Sequence, residues 1–439
     1  MAFALAALVL LVMHQHLIDL AALGQHATGQ GRNGVPLPPS FYLALPYRVI
    51  DPMFLPPHAM QFALIALAAV ESAVLYGLYR SLRDRTTAVW ERVALAAIAL
   101  AMLALALGAR SVLGFDLYAY AGYAKLGVPA VYAGPPVPFA GDFRAVSDVW
   151  GWPISTCPYG PLWVALAQRA AGGATSLASA LLALRLLAAG GFAAIVALLA
   201  WRRGVAFAAL FGLNPALDVL YVANGHNDLL AVAPLLLAIA LAGSLPFAAA
   251  LLAAAAALIK LPFAAGVLLV FAGRGGLARR AAWAGLSFAL IAAGSLLWGG
   301  SDYVHYLLHR VHEYHATNTL SAVTASVIRL GLFALAVVAV LAAFVRGTIW
   351  RAASWSLIAS SSTVYPWYLA TALPYAVLEG GALAAFLVLV PLAAALLEFA
   401  FPHLGLGQLT MLVMLGAGIV EIVRKRARPL DDQTVRPGP

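Results

Sequence analysis

Long apolar runs dominate the chain, and short polar or basic stretches separate them. Windows with almost no charge recur, for example around residues 94–107, 287–298 and 383–397. With its flanks, each window is long enough to cross a bilayer as a helix, which needs about 20 apolar residues. Strict alternation of apolar and polar residues is absent, and a backbone buried in lipid must satisfy its own hydrogen bonds. The pattern therefore predicts an all-α polytopic membrane protein with about 12 to 14 transmembrane helices.

Composition supports this prediction and excludes a soluble domain. Hydrophobic residues make up 64% of the 439-residue chain and charged residues 10%, against roughly a quarter charged in an ordinary soluble domain. The formal net charge of +9 comes from clusters between apolar runs, which is a signal of topology and does not indicate nucleic acid as a partner. The positive-inside rule predicts that these clusters face the cytoplasm. They are Arg80, Arg83, Arg85 and Arg92; Arg202 and Arg203; Arg274, Arg279 and Arg280; Arg346 and Arg351; and Arg424 to Arg428.

The order of spans and loops predicts four parts of the chain. They are an N-terminal two-span addition (1–91), a membrane core (92–375) with a long outer loop (113–173), C-terminal spans (376–428) and a disordered cytoplasmic tail (429–439). Within the core, a short juxtamembrane or re-entrant helix is predicted near residues 159–171, and a half-length helix is predicted after Pro262. Longer helices are predicted over 177–200, 205–222, 228–243, 247–260, 281–299 and 322–345. No cleavable signal is expected. Cys157 is the one cysteine, which excludes an internal disulfide and a multi-cysteine metal site.

Most side chains able to do chemistry map to the outer loops under this topology. Acids and cations that converge on one membrane surface indicate an active site or a binding vestibule. The set is Asp116, Lys125, Asp142, Asp148, His226, Asp228, Lys260, His305, Arg310, His312, Glu313 and His315.

Asp116 follows an apolar span and lies among aromatic residues. It can act as a general base if Phe115, Tyr118 and Tyr120 desolvate it and raise its pKa, or it can orient a sugar hydroxyl. The alternative is a helix cap at the end of a span. Residues 224–228 (NGHND) leave a similar choice, between a site and a polar turn that caps the next helix.

Two further stretches leave alternatives open. Lys260 is either a snorkelling lysine near a span end or, beside Pro262, a cation for a phosphate. The His-rich stretch 305–315 has i,i+3 and i,i+4 histidine spacing, but the H-E-x-x-H order of zinc sites is missing. We favour an amphipathic helix with a phosphate-binding Arg310 and predict no metal there. Most of a set of aromatic residues are interpreted as an interfacial belt, and a few of them can also stack on sugar rings: Trp150, Trp152, Tyr159, Trp163, Trp367 and Tyr368. His14 and His16 are interpreted as buried polar groups of unassigned role.

The order of these motifs resembles the GT-C glycosyltransferases, and most of all the branch that depends on polyprenol phosphomannose. The resemblance covers roughly residues 92 to 375. The motifs are FDLYAY at 115–120, YGPLW at 159–163, NP at 214–215 leading to GHND at 225–228, KLP at 260–262, and YPWYL at 365–369 with LP at 373–374.

The resemblance implies a GT-C-like helix bundle that moves a sugar, expected to be mannose, from a polyprenyl phosphate to a lipid or glycan hydroxyl. The reaction faces the extracytoplasmic side of the cell membrane and inverts the anomeric centre. The family's catalytic acid matches Asp116. Many relatives carry paired acids at this place, whereas Phe115 and Leu117 flank Asp116 here. This difference argues against a mechanism that needs two adjacent carboxylates or a carboxylate-held metal, and no cofactor is expected.

The remaining sites are assigned by chemistry. A phosphate leaving group needs cations, for which the candidates are Lys260, Arg310, His226 and His312. Aromatic and polar groups are expected to bind the sugars: Tyr118, Tyr120, Tyr159, Asn227, Asp228, Tyr365, Trp367 and Tyr368. Two other classes stay open. A flippase or transporter of lipid-linked sugars needs charges near the bilayer midplane and repeated halves. A membrane acyltransferase would use a buried histidine beside an Asn or Asp.

Overall fold

A computed structural model describes most of the chain. The described residues are 1–25, 57–109, 116–133, 139–150, 157–273, 275–313, 331, 334–335, 337–338, 340–347 and 365–400. Within these ranges all regular structure is helical, which confirms the predicted all-α class.

The N-terminal half begins with three long helices and continues with shorter ones. They are α1 (Ala2–Gln25), α2 (Pro57–Leu82), α3 (Val89–Gly108), α4 (Asp116–Leu126), α5 (Ala130–Ala133), α6 (Arg144–Trp150) and α7 (Pro161–Ala171), with a 3-10 turn at Gly141–Phe143 before α6.

The rest alternates long helices with short or irregular ones. It comprises α8 (Leu177–Arg203), α9 (Val205–Gly212), α10 (Pro215–Leu217), a π-helix (Asp218–Ala223), α11 (Asp228–Leu241), α12 (Pro246–Ile259), a 3-10 helix (Leu261–Ala264), α13 (Ala265–Phe271), α14 (Leu277–Gly294), a second π-helix (Ser295–Gly299) and α15 (Gly300–Glu313). After the gap come a 3-10 helix (Pro366–Ala372), α16 (Leu373–Glu379) and α17 (Gly381–Ala400).

Several of these helices can cross a membrane. Among the described residues, 4 helices are long and apolar enough: Ala59–Leu82, Val89–Gly108, Leu177–Arg203 and Leu277–Leu308. A bent pair, Val205–Gly212 with Pro215–Ala223, is a fifth if it counts as one span. Shorter apolar helices accompany them: Ala2–Ile18, Asp228–Leu241, Pro246–Ile259, Leu261–Phe271 and Gly381–Leu397. A multi-pass membrane protein is therefore confirmed, whereas the total of about 12 to 14 spans stays a prediction.

The span predicted over residues 205–222 is divided into two helical segments. Two segments meet there at an angle of 52°, and Asn214 at the break is extended, with φ −94° and ψ 106°. Pro215 explains the break, because proline disfavours the helical conformation in the residue before it and has no N–H to donate. Asn214 Nδ2 donates to the Leu387 carbonyl across to α17 at 2.8 Å, so the break is tied to the C-terminal part.

The loop predicted over residues 113–173 is largely helical where it is described. It contains α4, α5, α6 and α7, and α4 and α7 pack against each other and against α8. Buried aromatic and alanine side chains explain this packing, since α4 buries every residue from Leu117 to Ala124. The short helices predicted at 159–171 and after Pro262 are confirmed as α7 and as the 3-10 helix with α13.

Two packed groups position the site. A smaller apolar cluster joins α1, α2, α3 and α9, and α2 also packs on α17. The main cluster joins α4, α7, α8, α11 and α12 with the segment 365–372. The ends of these last helices bring the polar motifs together.

Candidate active site

Asp116 and His226 face each other at the start of α4. Asp116 is the first residue of the helix, where the helix dipole favours a negative charge. His226 Nδ1 lies 3.6 Å from Asp116 Oδ2, and the His226 side chain is fully buried whereas Asp116 keeps 20% exposure. The distance exceeds that of a normal hydrogen bond, so the contact is electrostatic. The aspartate thus has a buried imidazole beside it and some access from outside.

The turn that carries His226 is held against α4 by a glycine. Gly225 has φ +66°, a conformation that glycine adopts at no steric cost. A Cβ at this position would lie 2.5 Å from Leu117 Cδ1. The backbone therefore approaches the first turn of α4 closely, and this approach sets the distance between His226 and Asp116.

Lys260 and Asp228 form a charged pair at two helix ends. Asp228 begins α11, and Lys260 follows the last residue of α12. Lys260 Nζ donates to Asp228 Oδ1 at 2.6 Å, with the Asp228 side chain fully buried and that of Lys260 12% exposed. Pro262 prevents α12 from continuing, which leaves Lys260 at the bend. The ammonium group also lies 4.7 Å from the Tyr368 ring centroid.

A glycine brings the start of α7 against the end of α12. The Gly160 N–H donates to the Ile259 carbonyl at 3.0 Å. A Cβ on Gly160 would lie 2.0 Å from the Leu258 carbonyl oxygen, so only glycine fits this approach. Tyr159 and Lys260, the neighbours of these two backbone groups, are consequently brought together, with Lys260 Nζ 5.9 Å from the Tyr159 ring centroid.

Three aromatic side chains line the same region from α4 and α7. The Tyr120 hydroxyl donates to the Tyr159 hydroxyl at 3.1 Å, and the Tyr120 ring packs edge-on against Trp163 at 5.1 Å. Trp163 is 1% exposed. Among the aromatics that were interpreted mostly as an interfacial belt, Trp163 therefore packs in the interior, next to the predicted sugar-binding tyrosines.

The segment after Tyr365 adds a column of stacked rings. Tyr365 stacks on Trp367 with centroids 4.5 Å apart and planes 3° from parallel. Trp367 also stacks on His226, with ring centroids 4.0 Å apart and planes 14° from parallel. The late motif of the sequence therefore meets the first and the middle motifs at one place, although more than a hundred residues separate them.

Burial gives Asp116 the pKa of a usable base. Loss of water contact raises the pKa of Asp116 to about 6, the positive charge of Lys260 acts to lower it, and the negative charge of Asp228 acts to raise it. Both members of the Lys260–Asp228 pair therefore act on the Asp116 carboxylate, in opposite directions. A carboxyl group with this pKa is mostly deprotonated at neutral pH and can accept a proton.

The predicted site residues other than Asn227 divide into three groups. Asp116, Tyr120, Tyr159, His226, Asp228, Lys260, Tyr365, Trp367 and Tyr368 come together through the contacts given above. Tyr118 lies two residues from Asp116 on α4, so it points to another side of the helix, where it interacts with Arg185 of α8. Arg310 and His312 lie in the last turns of α15, and their side chains are outside the described residues.

Asn227 is a separate case. It is fully buried between His226 and Asp228, and neither of its amide atoms has a hydrogen-bond partner among the described residues. Its role in substrate binding stays a prediction.

Four residues that build the site are not among the predicted site residues. Gly160 and Gly225 matter for close approach, Trp163 for packing, and Tyr221 for the hydrogen bonds of its hydroxyl. The sequence signal for Gly160 was the YGP turn itself, since a glycine before proline marks a turn. In the part of the chain that the structure describes, no three His, Cys, Asp or Glu side chains are arranged to hold a metal ion.

Comparison with known proteins gives one match. A family model described as "Alpha-(1->6)-mannopyranosyltransferase, N-terminal domain" matches residues 47–275, slightly more than half of the chain. The matched range includes Asp116, His226, Asp228 and Lys260. No curated protein matches the chain, and no solved structure does either.

Proposed function

The chain belongs to the alpha-(1->6)-mannopyranosyltransferase family, and from that premise we propose that it transfers mannose from a polyprenyl phosphate to a hydroxyl group of a lipid or glycan. As a member of this family it is a membrane glycosyltransferase with a sugar donor and a glycan acceptor. The polyprenyl-phosphate donor, the extracytoplasmic side, inversion and the role of Asp116 are our proposal.

One observation carries the proposal. A partly exposed carboxylate with a pKa raised to about 6 lies 3.6 Å from a buried imidazole and within the field of a lysine. Transfer from a lipid phosphate needs a base for the acceptor hydroxyl and positive charge for the departing phosphate. Both requirements meet here.

The steps follow from these groups. The acceptor oxygen attacks the anomeric carbon of mannose from the face opposite the phosphate, and its proton passes to Asp116. The bond between the anomeric carbon and the phosphate oxygen breaks, and the electron pair leaves with the polyprenyl phosphate. Attack from the opposite face inverts the anomeric centre.

Lys260 is proposed to stabilise the departing phosphate. Its ammonium group has three donors, of which one bonds to Asp228 at 2.6 Å. Asp228 thereby holds the lysine in place while the other donors stay available for phosphate oxygens. His226, Arg310 and His312 are the further cations proposed for the same phosphate. Cationic groups beside a developing negative charge stabilise it most where water is excluded.

The aromatic side chains are proposed to bind the sugars. Tyr120 and Tyr159 are joined by a hydrogen bond at 3.1 Å, and the Tyr365–Trp367 stack lies on His226. Aromatic rings of this kind pack on the apolar faces of sugar rings. Tyr118, Asn227, Asp228 and Tyr368 complete the proposed set, and the membrane lipid surrounds the polyprenyl tail.

Purified protein in proteoliposomes tests the proposal, with radiolabelled polyprenyl-phosphate mannose as donor and a membrane lipid extract as acceptor. We expect transfer by the natural chain and a loss of about 10²–10⁴-fold in Asp116→Asn, the usual contribution of a general base. Asp142→Asn is the matched control, because Asp142 is an exposed acid of the same predicted outer loop. Full transfer by Asp116→Asn would show that the base is another group. Labelled lipid that crosses the vesicle membrane without a new glycosidic bond would favour a flippase.

A further inference from the structure

The buried hydroxyl of Tyr221 joins two segments of the site. Tyr221 lies in the π-helix Asp218–Ala223 and is fully buried. Its hydroxyl donates to the Trp367 carbonyl at 2.8 Å and accepts from the Ala370 N–H at 2.8 Å. One side chain therefore satisfies two backbone groups of the 3-10 helix Pro366–Ala372.

Trp367 is held from two directions by the same stretch of chain. Its backbone carbonyl binds Tyr221, and its ring stacks on His226 with centroids 4.0 Å apart. Tyr221 and His226 are five residues apart in sequence. The relative placement of the indole and the imidazole thus depends on the short segment between them.

That segment has its own internal support. Asn224 Nδ2 donates to the Val219 carbonyl at 2.7 Å, which fixes the end of the π-helix. Gly225 then turns the chain with φ +66°, and His226 Nδ1 lies 3.6 Å from Asp116 Oδ2. Short π-helical segments of this kind occur frequently at functional sites.

We propose that Tyr221 is a positioning residue, whose hydroxyl fixes Trp367 against His226 and thereby sets the contact of His226 with Asp116. The inference rests on the proposed function, because it assumes that Asp116 is the general base. A phenylalanine would fill the same volume without either hydrogen bond. The hydroxyl is therefore the group to test.

The test compares Tyr221→Phe with the natural chain in the mannose-transfer assay, across pH and donor concentration. We expect kcat to fall about tenfold to a hundredfold, because misplacement of a catalytic contact by 1 Å can cost 10²-fold in rate. KM for the donor is expected to stay within about twofold, because the loss of an interaction made only in the transition state lowers kcat and leaves KM unchanged. The midpoint of the acid limb of kcat/KM is expected to move in the same direction as in His226→Gln.

Coupling between the two positions is the decisive readout. Residues that act through one contact give non-additive effects in a double-mutant cycle. We expect Tyr221→Phe to cost little further rate in a His226→Gln background. Tyr303→Phe is the matched control: Tyr303 is a 1% exposed tyrosine on α15, and its hydroxyl removal is expected to leave the acid limb in place.

Two outcomes would overturn the inference. One is a rate loss in Tyr221→Phe that tracks only the folded fraction, with no change of the acid limb. The other is a double variant whose rate loss equals the product of the losses of Tyr221→Phe and His226→Gln. Failure of the proposed function is seen separately, because the natural chain would then form no glycosidic bond. Failure of the base assignment alone would leave Asp116→Asn with full transfer, whatever Tyr221→Phe does.

Discussion

Replacement of Gly160 by alanine tests the junction between α7 and α12. The new Cβ would lie 2.0 Å from the Leu258 carbonyl oxygen, whereas real Cβ contacts are essentially never under 3.0 Å. The two backbones must therefore separate by at least 1 Å. The backbone of Gly160 has φ −69° and ψ 159°, which alanine adopts without strain. Any effect of the substitution consequently comes from the contact and not from the local conformation.

The separation is expected to move Tyr159 away from Lys260. A displacement of 1 Å at a catalytic arrangement can cost about 10²-fold in rate, so we expect Gly160→Ala to reduce mannose transfer by roughly that factor. The hydrogen bond from the Gly160 N–H to the Ile259 carbonyl weakens as well, which is expected to lower the thermal unfolding midpoint in detergent.

The control is Gly173→Ala, because a Cβ on Gly173 meets no atom within 4 Å. It is expected to keep both transfer and the unfolding midpoint. The same assay in proteoliposomes, corrected for the folded fraction, gives the comparison. Full transfer by a well-folded Gly160→Ala would refute the claim that the close approach positions the site.

Two further predictions concern charge. Activity is expected to fall as pH drops through about 6, because protonation removes the base form of Asp116. The midpoint of the acid limb of kcat/KM is expected at higher pH in Lys260→Met and at lower pH in Asp228→Asn, because Lys260 lowers and Asp228 raises the pKa of Asp116. Equal shifts of the same sign in both variants would contradict the electrostatic assignment. In the N-terminal helices, His14 Nδ1 lies 2.7 Å from Glu71 Oε1 with both side chains buried. Glu71→Leu is therefore expected to destabilise the protein by about 1–3 kcal/mol. The double variant His14→Leu with Glu71→Leu is expected to recover much of that stability. Thermal unfolding of the three variants checks this, and an unchanged midpoint in Glu71→Leu would show that the pair contributes no stability.

The sequence predicted the helical class and the main helices because apolar periodicity and membrane thickness constrain both. The helices α8, α11 and α12 begin and end near the predicted residues. It also identified most of the polar residues that meet, since polar side chains at span ends are few in a chain this apolar. The helices α4, α5 and α6 within the predicted outer loop 113–173 were not predicted, because the glycines, prolines and aromatics of this segment indicate turns locally, whereas burial against α8 favours helices.

Distances between side chains were beyond the sequence for a different reason. A motif order states which residues meet, but the contact of His226 with Asp116 depends on the close approach at Gly225 and on a π-helix whose hydrogen bonds run from i to i+5. Helical periodicity counted in steps of 3.6 residues misplaces every side chain after such a segment. Tyr221 stands within the apolar segment predicted over residues 205–222, and the sequence does not indicate that its hydroxyl bonds to a residue 146 positions away. The energetic cost of an unpartnered buried hydroxyl is what makes this contact specific. A tyrosine in an otherwise aliphatic buried run is therefore expected to have a specific hydrogen-bond partner for its hydroxyl elsewhere in the fold.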